Sequence, residues 1–184
     1  GVCHEADTPL VPASTYGLCK KTCFELFTRF VEQTPELDGA WGRLFFLYGP
    51  REDDYRLLAS AIAKLLRGEP MEVGFDRLER DYLFILDAAR GLVDLLESDC
   101  SGAINLAAGQ AIGLGELVSA AARRIGADEH LRLGGRPRDD EAHPSPVVVA
   151  DTRRARDELG WRPTWTLEDA LDQTIAWWRN ESER

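Results

Sequence analysis

Tyr16 and Lys20 stand four residues apart in the segment Tyr16-Gly-Leu-Cys-Lys20. On a helix that spacing puts a phenol and an ammonium on one face, one turn apart. A free phenol titrates at about pH 10, too high for base work at neutrality. A neighbouring ammonium favours the phenolate and brings it towards range. Such a pair can pass a proton to or from a sugar or alcohol hydroxyl. With four Tyr and three Lys in 184 residues a chance pairing is uncommon, but a surface Tyr beside a surface Lys has the same spelling. Two arginines also stand where an anion can be gripped. Arg80 precedes a short apolar run, and Arg136 lies in the Pro-bounded turn Gly134-Gly-Arg-Pro-Arg138. A guanidinium makes paired N–H bonds to a pyrophosphate, although for any single Arg a solvated side chain is the plainer reading.

Other motifs carry less. Gly113-Leu-Gly115 begins like G-x-G-x-x-G, but Val118 stands where the third glycine belongs, so a loop opening a helix is expected. Gly134-Gly135 has no helix after it, and the chain holds no phosphate-cradling loop of the dinucleotide type. Cysteines fall at 3, 19, 23 and 100, with no C-x-x-C pair. Cys19 and Cys23 share a helix face and read as two buried small side chains, not ligands. Cys3-His4-Glu5 is the one ligand-type run, and at a chain end it does not make a metal site; no metal is expected. Trp161, Trp165, Trp177 and Trp178 read as packing residues.

These residues need elements to position them. Gly1–Ser14 reads as a loop with Pro9 and Pro12. A helix follows from about Thr15 to Gln33, with Cys19, Cys23, Phe27 and Phe30 recurring at three and four. Trp41–Tyr48 is a buried strand closed by Gly49-Pro50. Asp54–Arg67 is an amphipathic helix stopped by Gly68 and Pro70. Strands are expected at Met71–Val73, Tyr82–Leu86, Gly102–Ala107, Leu131–Leu133 and Val147–Ala150. Helices are expected from a cap at Asp87 to Glu97, over Leu114–Ile125 with Gly126 just beyond, and from Asp151-Thr152 to Gly160. Thr166-Leu-Glu-Asp169 has the form of a capping box before a last helix to about Asn180. Alternation of strands and helices indicates α/β. The strands are few for a complete doubly wound sheet.

Composition bounds the partners. There are 22 Lys plus Arg against 32 Asp plus Glu, a net charge of −10. That acidity argues against nucleic acid, which needs a basic face. Hydrophobic residues make up 44%, enough for a globular core. No apolar run reaches membrane-helix length. Of the 22 cations 19 are Arg, a bias that base composition alone can produce. A reducing, cytoplasmic setting is expected.

The segments taken in order resemble the NAD-dependent epimerase/dehydratase family, the extended short-chain dehydrogenase/reductases that act on nucleotide sugars. Pro9-Leu-Val-Pro-Ala-Ser-Thr-Tyr16-Gly-Leu-Cys-Lys20 is similar to that family's Pro-rich lead into Y-x-x-x-K. Arg43-Leu-Phe-Phe-Leu-Tyr-Gly-Pro-Arg51 resembles R-x-F-N-x-Y-G-P-R, and Arg80-Asp-Tyr-Leu-Phe-Ile-Leu-Asp87-Ala-Ala89 resembles R-D-F-x-H-V-D-D-x-A. Gly102-Ala-Ile-Asn-Leu-Ala-Ala-Gly109 resembles G-x-x-N-x-G-x-G, and Leu159-Gly-Trp-Arg-Pro163 the family's L-G-W-x-P. The resemblance implies a Rossmann-type α/β fold with a substrate-binding subdomain, of which this would be the C-terminal part. Residues 1–50 would end the Rossmann domain, and 51–184 would be mainly the substrate subdomain with the last Rossmann elements interspersed. Tyr16 would be the catalytic acid/base and Lys20 would bind the nicotinamide ribose. Leu44 and Leu47 would line the nicotinamide of NAD or NADP. Phe46, Arg80 and Arg136 would lie in the nucleotide-sugar pocket. The reaction implied is epimerisation, dehydration or 4-keto reduction by hydride transfer at the hexose ring. A homodimer is implied, with Phe24 and Phe27 as contact candidates.

The departures are specific. Phe46, Phe84 and Leu86 replace the pattern's Asn, His and first Asp. The glycine-rich half and the Ser or Thr before the tyrosine are not found, and the chain does not begin with Met. The expectation is a portion of a longer protein, inactive alone. The alternative is a non-catalytic nucleotide-sugar binder or partner subunit.

Overall fold

The computed structural model describes residues 1–75, 77–134 and 147–182. In chain order the elements are β1 (Val2–Cys3), α1 (Thr15–Glu32), β2 (Ala40–Leu44), β3 (Phe46–Tyr48), α2 (Leu57–Leu66), β4 (Met71–Val73), β5 (Glu79–Arg80) and β6 (Tyr82–Phe84). Then come α3 (Ile85–Leu96), β7 (Gly102–Leu106), β8 (Ile112–Gly113), α4 (Leu114–Ile125), β9 (Leu131–Leu133), β10 (Val147–Ala150), α5 (Arg153–Asp157) and α6 (Leu167–Ser182). The strands form parallel pairs β2–β7, β3–β6 and β4–β9, and a four-stranded set in the order β1-β10-β5-β8, in which only β5–β8 is antiparallel. Parallel strands joined through helices are the α/β signature that the alternation predicted.

Asp81 is where these pieces meet. Its backbone N–H donates to Val148 O of β10 at 3.0 Å, and its backbone C=O accepts from Phe46 N of β3 at 3.1 Å. Its carboxylate, fully buried, accepts from the backbone N–H of Ala108 (2.8 Å), Gly109 (3.0 Å) and Ala150 (3.0 Å). Burial raises the pKa of this carboxyl, and the three N–H bonds oppose that rise. Asn105 of β7 works in the same way at the next junction. Its side-chain amide donates to Cys3 O and Asp151 O, both at 3.0 Å.

Three apolar clusters fill the space between elements. Tyr48, Leu58, Ile62, Phe84, Leu117 and Leu171 bring α2, α4 and α6 onto β3 and β6. Leu65, Met71, Val73 and Val118 join α2 and α4 to β4. Leu83, Leu95, Ile104, Leu106 and Trp161 pack α3 against β7. Gly91 is required there, because a Cβ would meet the Trp161 indole at 2.9 Å.

Several expectations are corrected. The strand expected over 41–48 is two strands, because β2 pairs with β7 while β3 pairs with β6, and the chain changes partner at Phe45. The expected N-terminal loop contains β1, a two-residue strand held by β10. The helix expected from Asp54 starts at Leu57, and the one expected to reach Gly160 stops at Asp157. Asp87 does not cap α3. The helix begins at Ile85, and the buried Asp87 carboxylate instead accepts from Thr164 N (3.0 Å), Thr164 Oγ1 (2.9 Å) and Trp165 N (3.1 Å). The Thr166–Asp169 box forms in part: Thr166 Oγ1 accepts from Asp169 N at 3.1 Å, while the Asp169 carboxylate takes the Thr166 hydroxyl and not its backbone N–H.

Replacing Asp81 by Ala leaves three buried N–H groups unpaired. A loss of about 3 kcal/mol is expected, read by urea unfolding. A loss below about 1 kcal/mol, the worth of one ordinary hydrogen bond, would remove Asp81 from this role.

Candidate functional site

Tyr16 and Lys20 lie in the first turns of α1. Ser14 at the N-cap is extended (φ −135°, ψ 159°), and its Oγ accepts from Gly17 N at 3.1 Å. This satisfies one of the helix's free donors and fixes where the first turn starts. The Lys20 ammonium sits 5.7 Å from the centre of the Tyr16 ring, and the tyrosine is 72% exposed. The phenol and ammonium therefore share one solvent-facing surface, as their spacing predicted.

α1 is held from below by aromatic packing. Phe24 and Phe27 each place a ring 5.5 Å from Trp41 of β2. The Arg43 guanidinium lies 4.8 Å from the centre of the Phe24 ring and donates to Glu5 O. No residue of the helix is buried, and Leu18, Leu26 and Phe30 face outward. Cys19 and Cys23 are exposed, which corrects the expectation that they are buried. The periodicity was real, but among the described residues the only rings packed onto α1 reach Phe24 and Phe27. Those two, expected at a dimer contact, turn towards Trp41.

A second group forms on β3, β5 and β6. Phe46 and Tyr82 are register partners, with ring centres 5.7 Å apart. The Arg80 guanidinium lies over Phe46 at 5.7 Å, and Arg80 Nη1 donates to Glu79 O at 2.7 Å. Phe46 and Arg80, named separately in the sequence, are thus brought together. The residues that sequence reading missed are Tyr82, Glu52 and Arg56. Burial pushes the Tyr82 phenol up to about 12, the Glu52 charge adds to this, and Arg80 and Arg56 oppose it. Burial also raises the Glu52 carboxyl to about 7, against the pull of Arg56. Glu52 Oε2 is buried with no hydrogen-bond partner. The signal for this residue was present in Gly49-Pro50-Arg51-Glu52. Arg51 has φ 66°, a conformation that disfavours a side chain, and Gly49 (φ 152°) leaves no room for a Cβ, which would meet Ile85 Cγ2 at 2.4 Å.

The remaining expected residues fall as follows. Leu44 is exposed at the end of β2, and Leu47 packs against the cluster around Trp161. Arg136 lies outside the described residues. At Gly113-Leu-Gly115 the first N–H of α4 is taken by Leu78 O at 2.8 Å and Gly115 is buried, as suits a loop opening a packed helix. His4 Nδ1 meets Asp151 Oδ2 at 2.7 Å, and among the described residues no three His, Cys, Asp or Glu are placed to hold a metal ion. A cleft of about 650 Å³ between α1, β7 and α5 is lined by His4, Asp151, Arg153 and Arg154, whose charges are already paired.

Glu52 makes stability depend on pH. An acid whose pKa rises on folding weakens the fold once pH passes its unfolded value. Here the cost grows between about pH 4.5 and about pH 7 and is constant above that. Glu52→Gln is expected to be more stable than the parent by about 1–2 kcal/mol at pH 8, after allowance for partial exposure, and equal to it at pH 4. Urea unfolding at the two pH values measures this. An equal difference at both would mean that Glu52 finds a donor.

Comparison with known proteins gives one consistent picture. UDP-glucuronic acid decarboxylase 1 of Xenopus tropicalis is 27% identical over 178 residues, which cover 95% of this chain and 41% of that protein. The dTDP-glucose 4,6-dehydratase of Xanthomonas campestris pv. campestris is 29% identical over 182 residues, 93% of this chain and 51% of that one. The chain therefore spans about half the length of these relatives. Among solved structures, MoeE5 in complex with UDP-glucuronic acid and NAD superposes with a TM-score of 0.83 at 29% identity, over 98% of this chain and 60% of that chain. The UDP-glucose 4-epimerase of Thermotoga maritima shares the fold, with a TM-score of 0.85 at 24% identity over 98% and 58% of the two chains. The profile of the GDP-mannose 4,6-dehydratase family matches residues 2–174. On that match and this fold, the chain belongs to the GDP-mannose 4,6-dehydratase family of NAD-dependent epimerase/dehydratases, among the extended short-chain dehydrogenase/reductases.

Proposed function

We propose that this chain carries the proton-transferring tyrosine and much of the substrate pocket of an NAD(P)-dependent enzyme that epimerises, dehydrates or reduces the hexose of a nucleotide sugar. The observation that carries this reading is the Tyr16–Lys20 pair, stacked and exposed at the capped start of α1 in a chain of this family. The pair suits the ribose end of the cofactor, since an ammonium and a phenol together offer several donors to adjacent hydroxyls. NAD(P), when bound, supplies a hydride acceptor and donor. Tyr16 Oη holds or releases the hexose hydroxyl proton, and Lys20 keeps the phenol supplied with positive charge. Arg80, backed by Phe46, offers its guanidinium to the pyrophosphate. Phe46 offers a ring where the family pattern has an amide, so this contact is apolar. Leu44 and Leu47 line the nicotinamide by backbone, and Arg136 is assigned to the pyrophosphate by its motif.

Division at residue 50 into a Rossmann end and a substrate part belongs to the same proposal, as does a cytoplasmic setting. Among the described residues no helix is long and apolar enough to cross a membrane. The outward Leu18, Leu26 and Phe30 favour a second polypeptide surface against α1, either a homodimer or a partner chain.

In the polypeptide as its cell makes it, Tyr16→Phe is expected to lower kcat for nucleotide-sugar oxidoreduction by about 10²–10⁴. KM for the sugar nucleotide should stay within about threefold, as for an interaction made only in the transition state. Lys20→Ala should raise KM for the cofactor as well. Unchanged kcat in Tyr16→Phe would overturn the assignment, whereas no turnover in the parent would favour the binder or partner-subunit reading, which binding calorimetry with nucleotide sugars would then examine.

A further inference from the structure

A cavity of about 290 Å³ lies beside β6, under the turn that follows β7 and the start of α4. Its walls are aromatic. Tyr48, Tyr82, Phe84 and Trp165 line it, and Phe84 and Trp165 stand 5.0 Å apart. Gln110 and Glu116 stand at its rim and are exposed. Neither Phe46 nor Arg80 lines it, so it is separate from the pyrophosphate group, although Tyr82 borders both.

Three features define what would fit. First, Tyr48 is 4% exposed and lines this space, with no hydrogen bond from its hydroxyl among the described residues. Second, the ionisable side chains that line the cavity are carboxylates, one of them paired with Arg90. Asp87 and Glu116 line it, Glu168 lies near Tyr48, and no Lys or Arg lines it among the described residues. Asp87 has its acceptors filled by Thr164, Trp165 and Arg90, so it contributes field and not a free contact. Among the described residues Glu116 has no ion-pair or hydrogen-bond partner, so its carboxylate can take a cation. Third, aromatic faces attract cations through their quadrupole, most of all where water is displaced.

We propose that this cavity binds a small organic cation, an ammonium or guanidinium on a flat apolar body. The body lies among Tyr48, Phe84 and Trp165, the charge is held at Glu116, and a ligand polar group meets Tyr48 Oη. The Glu116 carboxylate disfavours an anion there. This inference does not depend on the nucleotide-sugar reading.

The test is an amide and indole NMR titration of the polypeptide as its cell makes it with benzylamine, benzyl alcohol and benzoate at fixed ionic strength. Benzylamine is expected to give saturable shifts centred on Ala108–Gly113 and the Trp165 indole, while benzoate gives none. Glu116→Gln should weaken benzylamine about fivefold, the worth of one partly exposed ion pair, and leave benzyl alcohol unchanged. Gln110→Glu, a substitution at an exposed rim residue, should tighten benzylamine and serves if the first variant is perturbed. No saturation with benzylamine, binding of benzoate as tight as benzylamine, or indifference of benzylamine to both substitutions would each overturn the proposal.

Discussion

One buried carboxylate ties the sheets together. Asp81 gathers the N–H groups that end β7's following turn and close β10, and its own backbone spans β10 and β3. Strands this short have few ladder bonds of their own. β5 and β6 have two and three residues, and the residue between them does the joining. A carboxylate can do this because it offers about four acceptor sites in one compact group. A neutral side chain of that size would leave donors unpaired in a place without water. Arg80 precedes Asp81 in sequence, so the junction also sets the position of the guanidinium over Phe46.

Asn105 and Asp87 repeat the principle at two other seams. Asn105 locks β7 to β1 and to the residue that follows β10, and Asp87 locks α3 to the loop before α6. Each is buried and polar and binds groups from two or more elements, so each fixes one arrangement where apolar packing alone tolerates sliding. Around them runs a chain of rings from Phe46 through Tyr82 and Tyr48 to Phe84 and Trp165, with neighbouring centres 5.0 to 6.3 Å apart. Those rings form one wall shared by the Arg80–Phe46 group and the aromatic cavity.

α1 contrasts with this. It is well capped and it carries Tyr16 and Lys20, but it rests on the body through Trp41 and the Arg43 guanidinium. Its position relative to Phe46 and Arg80 runs through β2 and β3, which follow one another with a single residue between. The strands that carry Phe46 and Arg80 are therefore tied by buried polar groups, and the helix that carries Tyr16 and Lys20 is mounted on them by a narrow base.

Local chemistry was legible in the chain itself. Helix boundaries at Thr15, Leu114 and Gly126 follow from caps, periodicity and a left-handed glycine, because those forces act within a turn or two. The Tyr16–Lys20 pairing follows from helical spacing, and Phe46, Arg80 and Arg136 came from ordered motifs that resemble a family. Tertiary structure alone decided the partner change at Phe45, the second role of Asp87, the exposure of Cys19 and Cys23, and the gathering of Glu52, Arg56 and Tyr82 around Phe46 and Arg80. These depend on contacts between residues far apart in sequence. Periodicity reports which face of an element is apolar, but it does not report what packs against that face, nor which distant donors reach a buried carboxylate.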